Sequence, residues 1–371
     1  MKQLVNGGMA LLFLTVMALL LGVMLGLELT GCLVLFGGLV VLSMVLPKMA
    51  GVAMMAVTVE IWQRDIIENL FKNNEFAQHA VSGDQYVLNG KVVHIPVAGA
   101  PSKSLKNATN LPITAVKRAD TDILYGLDNF YQAPKYVENV EQYELSYQKR
   151  QSIMGEQQSQ LIQDAMEGLL YNWAWATPAA IGTTPINSIK TTGAATGTSL
   201  VSGATGQRKI MTKDVFSTIK ASMDKANIPP NGRFALLTAD HYQQLIDGFS
   251  DAALTNFYRL ADATKGYVGS YLGFTILMRS SVQRWRFNAG SGIFTPVDEM
   301  ADGFAGDPND SAASIFWQES CVERARGDVN VFDNPGRAEY YGDVFSMNMR
   351  LGGRVRRAAG VWSVIEDIVG V

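Results

Sequence analysis

The opening 54 residues constrain this chain more than any other stretch. From Gln3 to Leu27 no residue is charged, Glu28 stands alone, and a second uncharged run continues from Leu29 to Pro47. Each run approaches the ~20 apolar residues that cross a bilayer core. Lys2 and Lys48 flank the pair and Glu28 lies in the connection, so the pattern predicts a two-helix transmembrane hairpin with both ends cytoplasmic. Gly22, Gly26, Gly31, Gly37 and Gly38 would let the two helices approach closely. A secretory signal peptide is the rival reading, although its apolar region normally spans only about 7–15 residues. A third reading removes the segment altogether: MMAVTVEIWQRDIIENLF, beginning at Met54, reads as the start of a soluble protein reached by an internal start or by trimming.

Beyond this segment the chain has the balance of a folded, water-soluble body. The 371 residues carry 31 basic and 34 acidic side chains, and removing residues 1–54 takes away two Lys and one Glu, leaving 29 and 33. A slightly acidic body is a poor match for a protein that grips nucleic acid through a basic face. Cys32 and Cys321 lie far apart in unlike surroundings, so neither a disulfide framework nor a cysteine zinc site can be built. His79, His94 and His241 leave too little for a histidine metal centre. The length accommodates about two domains.

From Val57 onward the pattern is mixed α and β. Ile61, Ile66, Ile67, Leu70 and Phe71 suit an amphipathic helix or arm, and Asn89-Gly90 between apolar runs is a hairpin signal. Residues 96–135 carry Pro96, Pro101, Pro112 and Pro134 among small polar residues and keep no helical period. So long a loop is uncommon in a compact domain unless it is functional or docked elsewhere, which points to a projecting β-arm that packs on another subunit. Its charges, Lys103, Lys106, Lys117, Arg118, Asp120, Asp122 and Asp128, would set register between copies. A long helix is predicted over Ser146–Trp175 from Ile162, Ala165, Met166, Leu169, Leu170 and Trp173. Residues 177–209, rich in Gly, Thr, Ala and Ser, read as a weakly structured insertion without a core. Thr212 or Asp214 is expected to cap the next helix, which carries Val215, Phe216, Ile219 and Met223 and stops before Pro229-Pro230.

The most informative stretch is PPNGRFALLTADHYQQLI, residues 229–246, which reads as a turn, a buried strand from Phe234 to Thr238 and a short helix opening at Asp240. About 30 residues on, GYVGSYLGFTILMRSSV supplies a second strand, Gly273 to Arg279. The pairing resembles the axial domain of the tailed-bacteriophage major capsid proteins, the Hong Kong 97-type fold shared with the herpesvirus capsid floor. Gly273, Phe274, Ile276 and Ser280 match that family's glycine–aromatic–hydrophobic strand with its polar end. VEIWQRDIIENLFKNNEF is similar to its N-terminal arm and EYYGDVFSMNMRLGGRVRR to the returning strands of its peripheral domain. The match follows family order over most of residues 57–365. It departs at the start, where family members often have a charged, helical scaffolding region and this chain is hydrophobic.

The resemblance implies an α+β fold with the hydrophobic two-helix segment at 1–54, an N-terminal arm at 55–87 and an extended loop at 88–135. It further implies a peripheral domain with a spine helix at 136–228 and 325–371, and an axial domain at 229–324. It implies a major capsid protein of a tailed phage or prophage that self-assembles into pentamers and hexamers of an icosahedral shell around double-stranded DNA. The inter-subunit arms would be residues 60–76 and 88–135. The implied location is the virion capsid, assembled in the host cytoplasm, with membrane association if residues 1–54 are retained. Expected partners are further copies of the chain, a portal, a scaffold, non-specifically packaged DNA, and a membrane through residues 8–47. The alternative is a membrane-anchored α+β binding module.

No catalytic, cofactor-binding or metal-binding residue is expected. His241 has no nucleophile motif beside it, and His94 suits an edge strand or interface. SGATGQRK, residues 202–209, fails the phosphate-loop spacing because Gln207 and Arg208 intervene before Lys209 and no hydroxyl follows. The acidic GDPND segment at 306–310 and the turn signal Asp333-Asn334-Pro335-Gly336 read as surface loops. Asp120 with Asp122 carries no information about the carboxylate separation that glycoside hydrolysis needs. Trp173 and Trp175 read as core or subunit contact. Arg350, Arg354, Arg356 and Arg357 read as a charged strand surface, with DNA contact as the competing reading.

Overall fold

The computed structural model describes residues 74–87, 92–109, 112–138, 147–176, 181–196, 201–258, 261 and 267–370. The two-helix segment expected over residues 1–54 and most of the arm expected over 60–76 lie outside these residues. Among those described, no helix is long and apolar enough to cross a membrane.

Along the chain, β1 (Val81–Ser82) precedes β2 (Val92–Val97), β3 (Thr121–Gly126), β4 (Asp128–Tyr131), β5 (Lys135–Glu138) and the 26-residue helix α1 (Tyr147–Asn172). Then come β6 (Asn187–Lys190), α2 (Asp214–Lys225), β7 (Arg233–Thr238), α3 (Ala239–Asp247) and α4 (Asp251–Tyr258). The strands β8 (Tyr267–Tyr271), β9 (Phe274–Arg279), β10 (Gln283–Asn288) and β11 (Ile293–Val297) follow. The long strands β12 (Asp310–Gln318), β13 (Val322–Arg337) and β14 (Gly342–Val355) lead to β15 (Val361–Ile365).

Strands β6–β12 and β15 form an eight-stranded sheet with β12 at its centre, hydrogen-bonded to β7, β10 and β15. β7 and β9 run parallel, in register from Arg233 with Phe274 to Thr238 with Arg279. All six residues of β7 and all nine of β12 are buried, which explains why RFALLT and DSAASIFWQ do not alternate like half-exposed strands. Helix α2 covers this sheet with Val215, Phe216, Ile219 and Met223. The Phe216 ring meets Tyr271, Phe274 and Phe316 edge-on at 5.4, 6.0 and 4.9 Å. Burying such a side chain contributes about 1.5–3 kcal/mol.

The ends of α2 separate expectation from outcome. Lys213 occupies the N-cap without a side-chain bond, so neither Thr212 nor Asp214 caps. Asp214 instead stands in the first turn, where its charge faces the positive end of the helix dipole. At the other end Asn227 adopts φ 57°, and Ile228 N–H donates to Met223 O (3.0 Å) while Asn227 N–H donates to Asp224 O (3.1 Å). That pair of bonds is a Schellman stop, completed before the two prolines are reached.

The second sheet has five strands, β1, β13, β14, β4 and β5, with β13 and β14 as a long hairpin. Helix α1 lies on it, burying Leu161, Ile162, Ala165, Met166, Leu169, Leu170 and the following Trp173. The helix predicted over Ser146–Trp175 is therefore present within a few residues at each end. Gly353 makes the close approach: a Cβ there would collide with the Leu169 side chain and stand 2.7 Å from Glu323 O.

One expectation is corrected here. The segment 177–209 is not a coreless insertion in its described parts: β6 pairs parallel with β15, Thr191 is fully buried, and so is Arg208. Arg208 donates to Ser311 Oγ and to the carbonyls of Thr205, Pro308 and Asp310. Strands β6 and β15 hydrogen-bond within the sheet that also holds β7 to β12.

Candidate assembly surface

Strands β2 and β3 form a two-stranded ribbon of their own. The strands pair antiparallel from Val92 with Gly126 to Val97 with Thr121, so β2 finds its described partner downstream; the Asn89-Gly90 turn lies outside the described residues. Alternation places Val93, Ile95, Ile123 and Tyr125 on one face, where they bury against Ala325 of β13 with Val87, Val97 and Leu127 at the margin. Tyr125 O–H donates to Glu323 Oε1 (3.2 Å), and Arg356 Nε lies 3.3 Å from Glu323 Oε2. Burial raises the Glu323 carboxyl above the usual carboxylate range, against the lowering effects of Arg356 and the Tyr125 bond. Burial beside that carboxylate raises the Tyr125 phenol as well.

Beyond this base, residues 98–109 and 112–120 form no regular structure and are almost wholly exposed. Leu105, Ile113 and Val116 are 63%, 57% and 76% exposed. An apolar side chain that open to water in a folded protein costs what its burial would contribute, so three in one loop mark a surface that gains by being covered. Of the loop's charges, several are engaged inside the ribbon. Arg118 Nε donates to Asp120 Oδ1 (2.6 Å), Gly99 N–H donates to the same oxygen (2.9 Å), and His94 Nδ1 lies 2.7 Å from Asp122 Oδ2. Lys103, Lys106 and Lys117 are exposed.

A second exposed cluster lies at the tip of the β13–β14 hairpin. Phe332, Tyr340 and Tyr341 are exposed, and Tyr136 of β5 stacks on Tyr340 with ring centroids 5.4 Å apart. The turn expected at Asp333–Gly336 is displaced toward residues 338–341. Gly336 instead sits in a bulge of β13 at φ 68°, its N–H donating to Asp343 Oδ1 (2.9 Å).

No protein-family model matches the chain, and no curated protein does. Solved structures do. The capsid of Ralstonia phage GP4 aligns at 12% identity and TM-score 0.50, covering 78% of this chain and 87% of that one. The chain has the Hong Kong 97-type capsid fold. Further likenesses are the capsid structure of the Cyanophage P-SCSP1u (15% identity, 77% and 86% covered, TM-score 0.49) and Mycobacterium phage Che8 (17%, 78% and 90%, TM-score 0.47).

On this capsid fold the residues weighed for chemistry take structural places. His241 is fully buried, its Nδ1 2.7 Å from Ser314 Oγ and its Nε2 3.5 Å from Glu366 Oε1. Ser314 and Glu366 are equally enclosed, so the three tie α3 to the central strand and face no solvent. The GDPND segment is not simply a surface loop, because Asp310 is fully buried. Arg286 Nε and Nη2 approach its two oxygens at 2.6 and 3.1 Å, Arg284 Nη1 stands at 3.4 Å, and Asp307 N–H donates at 2.9 Å. Burial alone would raise this carboxyl, yet the Arg286, Asp307 and Arg284 bonds together hold it below the usual range. Arg208 and Asp310 are among the buried polar residues that sequence reasoning missed; for Asp310 the alternating Arg284-Trp285-Arg286 was the available signal, since its arginines need a counter-charge on the facing strand.

The arginine run is divided by the fold. Arg354 is buried and donates to Ala176 O, Arg350 Nε donates to Asn129 Oδ1 (2.8 Å), and Arg356 pairs with Glu323. Of these three, Arg356 has the acidic neighbour that a charged strand surface implies, whereas Arg354 is enclosed. Trp173 is core, with its indole N–H on Glu323 O (3.1 Å), and Trp175 is buried beside Tyr171. Among the described residues no group of three His, Cys, Asp or Glu could hold a metal ion.

Proposed function

We propose that this chain is the major capsid subunit of a tailed phage or prophage, a structural protein whose action is self-assembly into the pentamers and hexamers of an icosahedral shell around double-stranded DNA. The observation that carries the reading is the ribbon. On a capsid fold, a loop that holds Leu105, Ile113 and Val116 out to water among the described residues offers a surface that repeated contacts between copies would cover. In this reading α1 is the spine helix, the five-stranded sheet belongs to the peripheral domain, and the eight-stranded sheet belongs to the axial domain that meets its copies at the shell's symmetry axes. Portal and scaffold are further partners, DNA is enclosed without sequence preference, and the mature location is the virion.

The test is to express the full chain, separate the lysate on a density gradient without detergent and inspect the fast fractions by electron microscopy. Closed particles of uniform diameter are the expected result. A chain that extracts only with detergent and remains a monomer overturns the proposal and favours the anchored binding module, and mass spectrometry of the particle subunit reads whether residues 1–54 are retained.

A further inference from the structure

Glu323 is enclosed where the ribbon meets the five-stranded sheet, with 3% of its side chain exposed. Alternation along β13 puts it on the same face as Ala325, under β3, and Tyr125 O–H donates to its Oε1 at 3.2 Å. Gly83 closes another side: a Cβ there would collide with Glu323 Oε1 and stand 3.0 Å from the Tyr125 hydroxyl. The neighbouring cation is Arg356, its Nε 3.3 Å from Oε2 and its side chain 33% exposed. Both contacts are long for an ionised carboxylate, which draws O–H donors to about 2.5–2.7 Å and cationic N–H donors to about 2.7–2.9 Å. The remaining charges packed around it are engaged elsewhere. Arg354, opposite Glu323 across the ladder, turns to Ala176 O (3.3 Å). Arg324 and Arg326 of β13 meet Asp84, through a 3.7 Å ion pair and a 2.7 Å backbone bond, and Asp84 is a second acid near Tyr125. From α1 comes the Trp173 indole, which bonds the Glu323 carbonyl and not the carboxyl. An ionised Glu323 is therefore poorly solvated while the ribbon is docked, and burial outweighs Arg356 and Tyr125 in raising it. Lifting β3 would give the same carboxylate water.

We propose that Glu323 is a proton-operated latch for the ribbon of its own subunit: uncharged, it holds β2 and β3 down on the sheet, and ionised, it loosens them. The sign is that of linkage. Because docking raises the carboxyl, the grip is complete below the ordinary glutamate value of 4.5 and is lost as pH rises through the docked value. The apolar contacts of Val93, Ile95 and Ile123 with Ala325 carry no charge and hold at every pH, so the ribbon slackens without detaching. The exposed loop that joins β2 to β3 thereby gains a freedom of swing set by pH. The latch works within one subunit and needs no second copy, so its test is separate from that of assembly.

The test is amide hydrogen exchange of the full chain as dissociated subunits, with each amide corrected for the pH dependence of its chemical exchange rate. From pH 8 to pH 5, chosen to bracket a raised carboxyl, the protection of amides in β2 and β3 should rise on the order of tenfold, the factor that one pH unit of displaced titration corresponds to. Amides of the central strand β12 should stay constant over the same range. Glu323→Gln, uncharged throughout, should hold the acid-state protection at every pH. Tyr125→Phe keeps the carboxyl and deletes a bond that favours its ionised form, so the loss of protection should move to higher pH. A wild-type ribbon without pH dependence, a Glu323→Gln ribbon that keeps it, or a Tyr125→Phe transition that stays in place or moves to lower pH overturns the proposal. A slope shared equally by β12 reports global unfolding and overturns it as well. Should Glu323→Gln fail to fold, the wild-type profile and the Tyr125→Phe transition decide.

Discussion

Asp310→Asn probes a fully buried carboxylate that two arginines share. The substitution keeps shape and one acceptor oxygen, so the Asp307 N–H bond survives while the charge is lost. Hydrogen bonds to a charged group contribute about 1.5–3 kcal/mol each. The Arg286 side chain is 35% exposed and its share is discounted for solvent screening, while Arg284 stands farther off at 3.4 Å. A net loss of about 2–3 kcal/mol follows, or roughly 4–6 °C in melting temperature for a body of this size. Because the folded-state carboxyl is held below its unfolded value, the stabilisation is present above the unfolded value of about 3.9 and disappears as pH falls through the folded one. Melts of dissociated subunits should therefore give a constant gap between wild type and variant from about pH 5 to 7, closing in more acidic solution. A gap smaller than about 0.5 kcal/mol at neutral pH, or one that fails to close in acid, refutes the reasoning.

Further perturbations probe other joints. Trp173→Ala removes a fully buried ring packed near Phe76 and Trp317, and should cost about 3–5 kcal/mol in urea unfolding. Gly353→Ala forces a methyl onto Leu169 and should cost about 1–3 kcal/mol, partly restored by Leu169→Ala, which a double-mutant cycle measures. Arg208→Ala strands the carbonyls of Thr205, Pro308 and Asp310, and limited proteolysis should then cut within residues 197–209 at least several-fold faster. Glu323→Gln should have the opposite pH sign to Asp310→Asn. The wild-type carboxyl is raised, so wild type gains stability as pH falls through the folded value, and the variant should compare most favourably near pH 8 in chemical unfolding.

The sequence was most readable where one period ran uninterrupted. Helix α1 was visible in the spacing from Ile162 to Trp173, and strands β7 and β9 in two short apolar runs, each opened by a turn glycine, though their parallel pairing was not. What stayed hidden was set by partners distant in sequence. Nothing local to SGATGQRK says that Arg208 will be enclosed by β12, and a stretch rich in Gly and Thr looks coreless until β15 supplies its neighbour. The turn near Gly336 was misplaced because the glycine serves a bulge, which a left-handed φ permits as readily as a turn does. The exposed loop could be read from its prolines and missing periodicity.

The chain passes from one sheet to the other three times, once through α1 between β5 and β6, and the other two passages are bonded to each other. β12 becomes β13 through the three residues Glu319–Cys321, while β14 reaches β15 through the short turn at Ala358–Gly360. Arg356 N–H and Arg357 N–H both donate to Cys321 O, lacing one crossing to the other. The two crossings cannot part without breaking those bonds, so they act as one joint between the sheets.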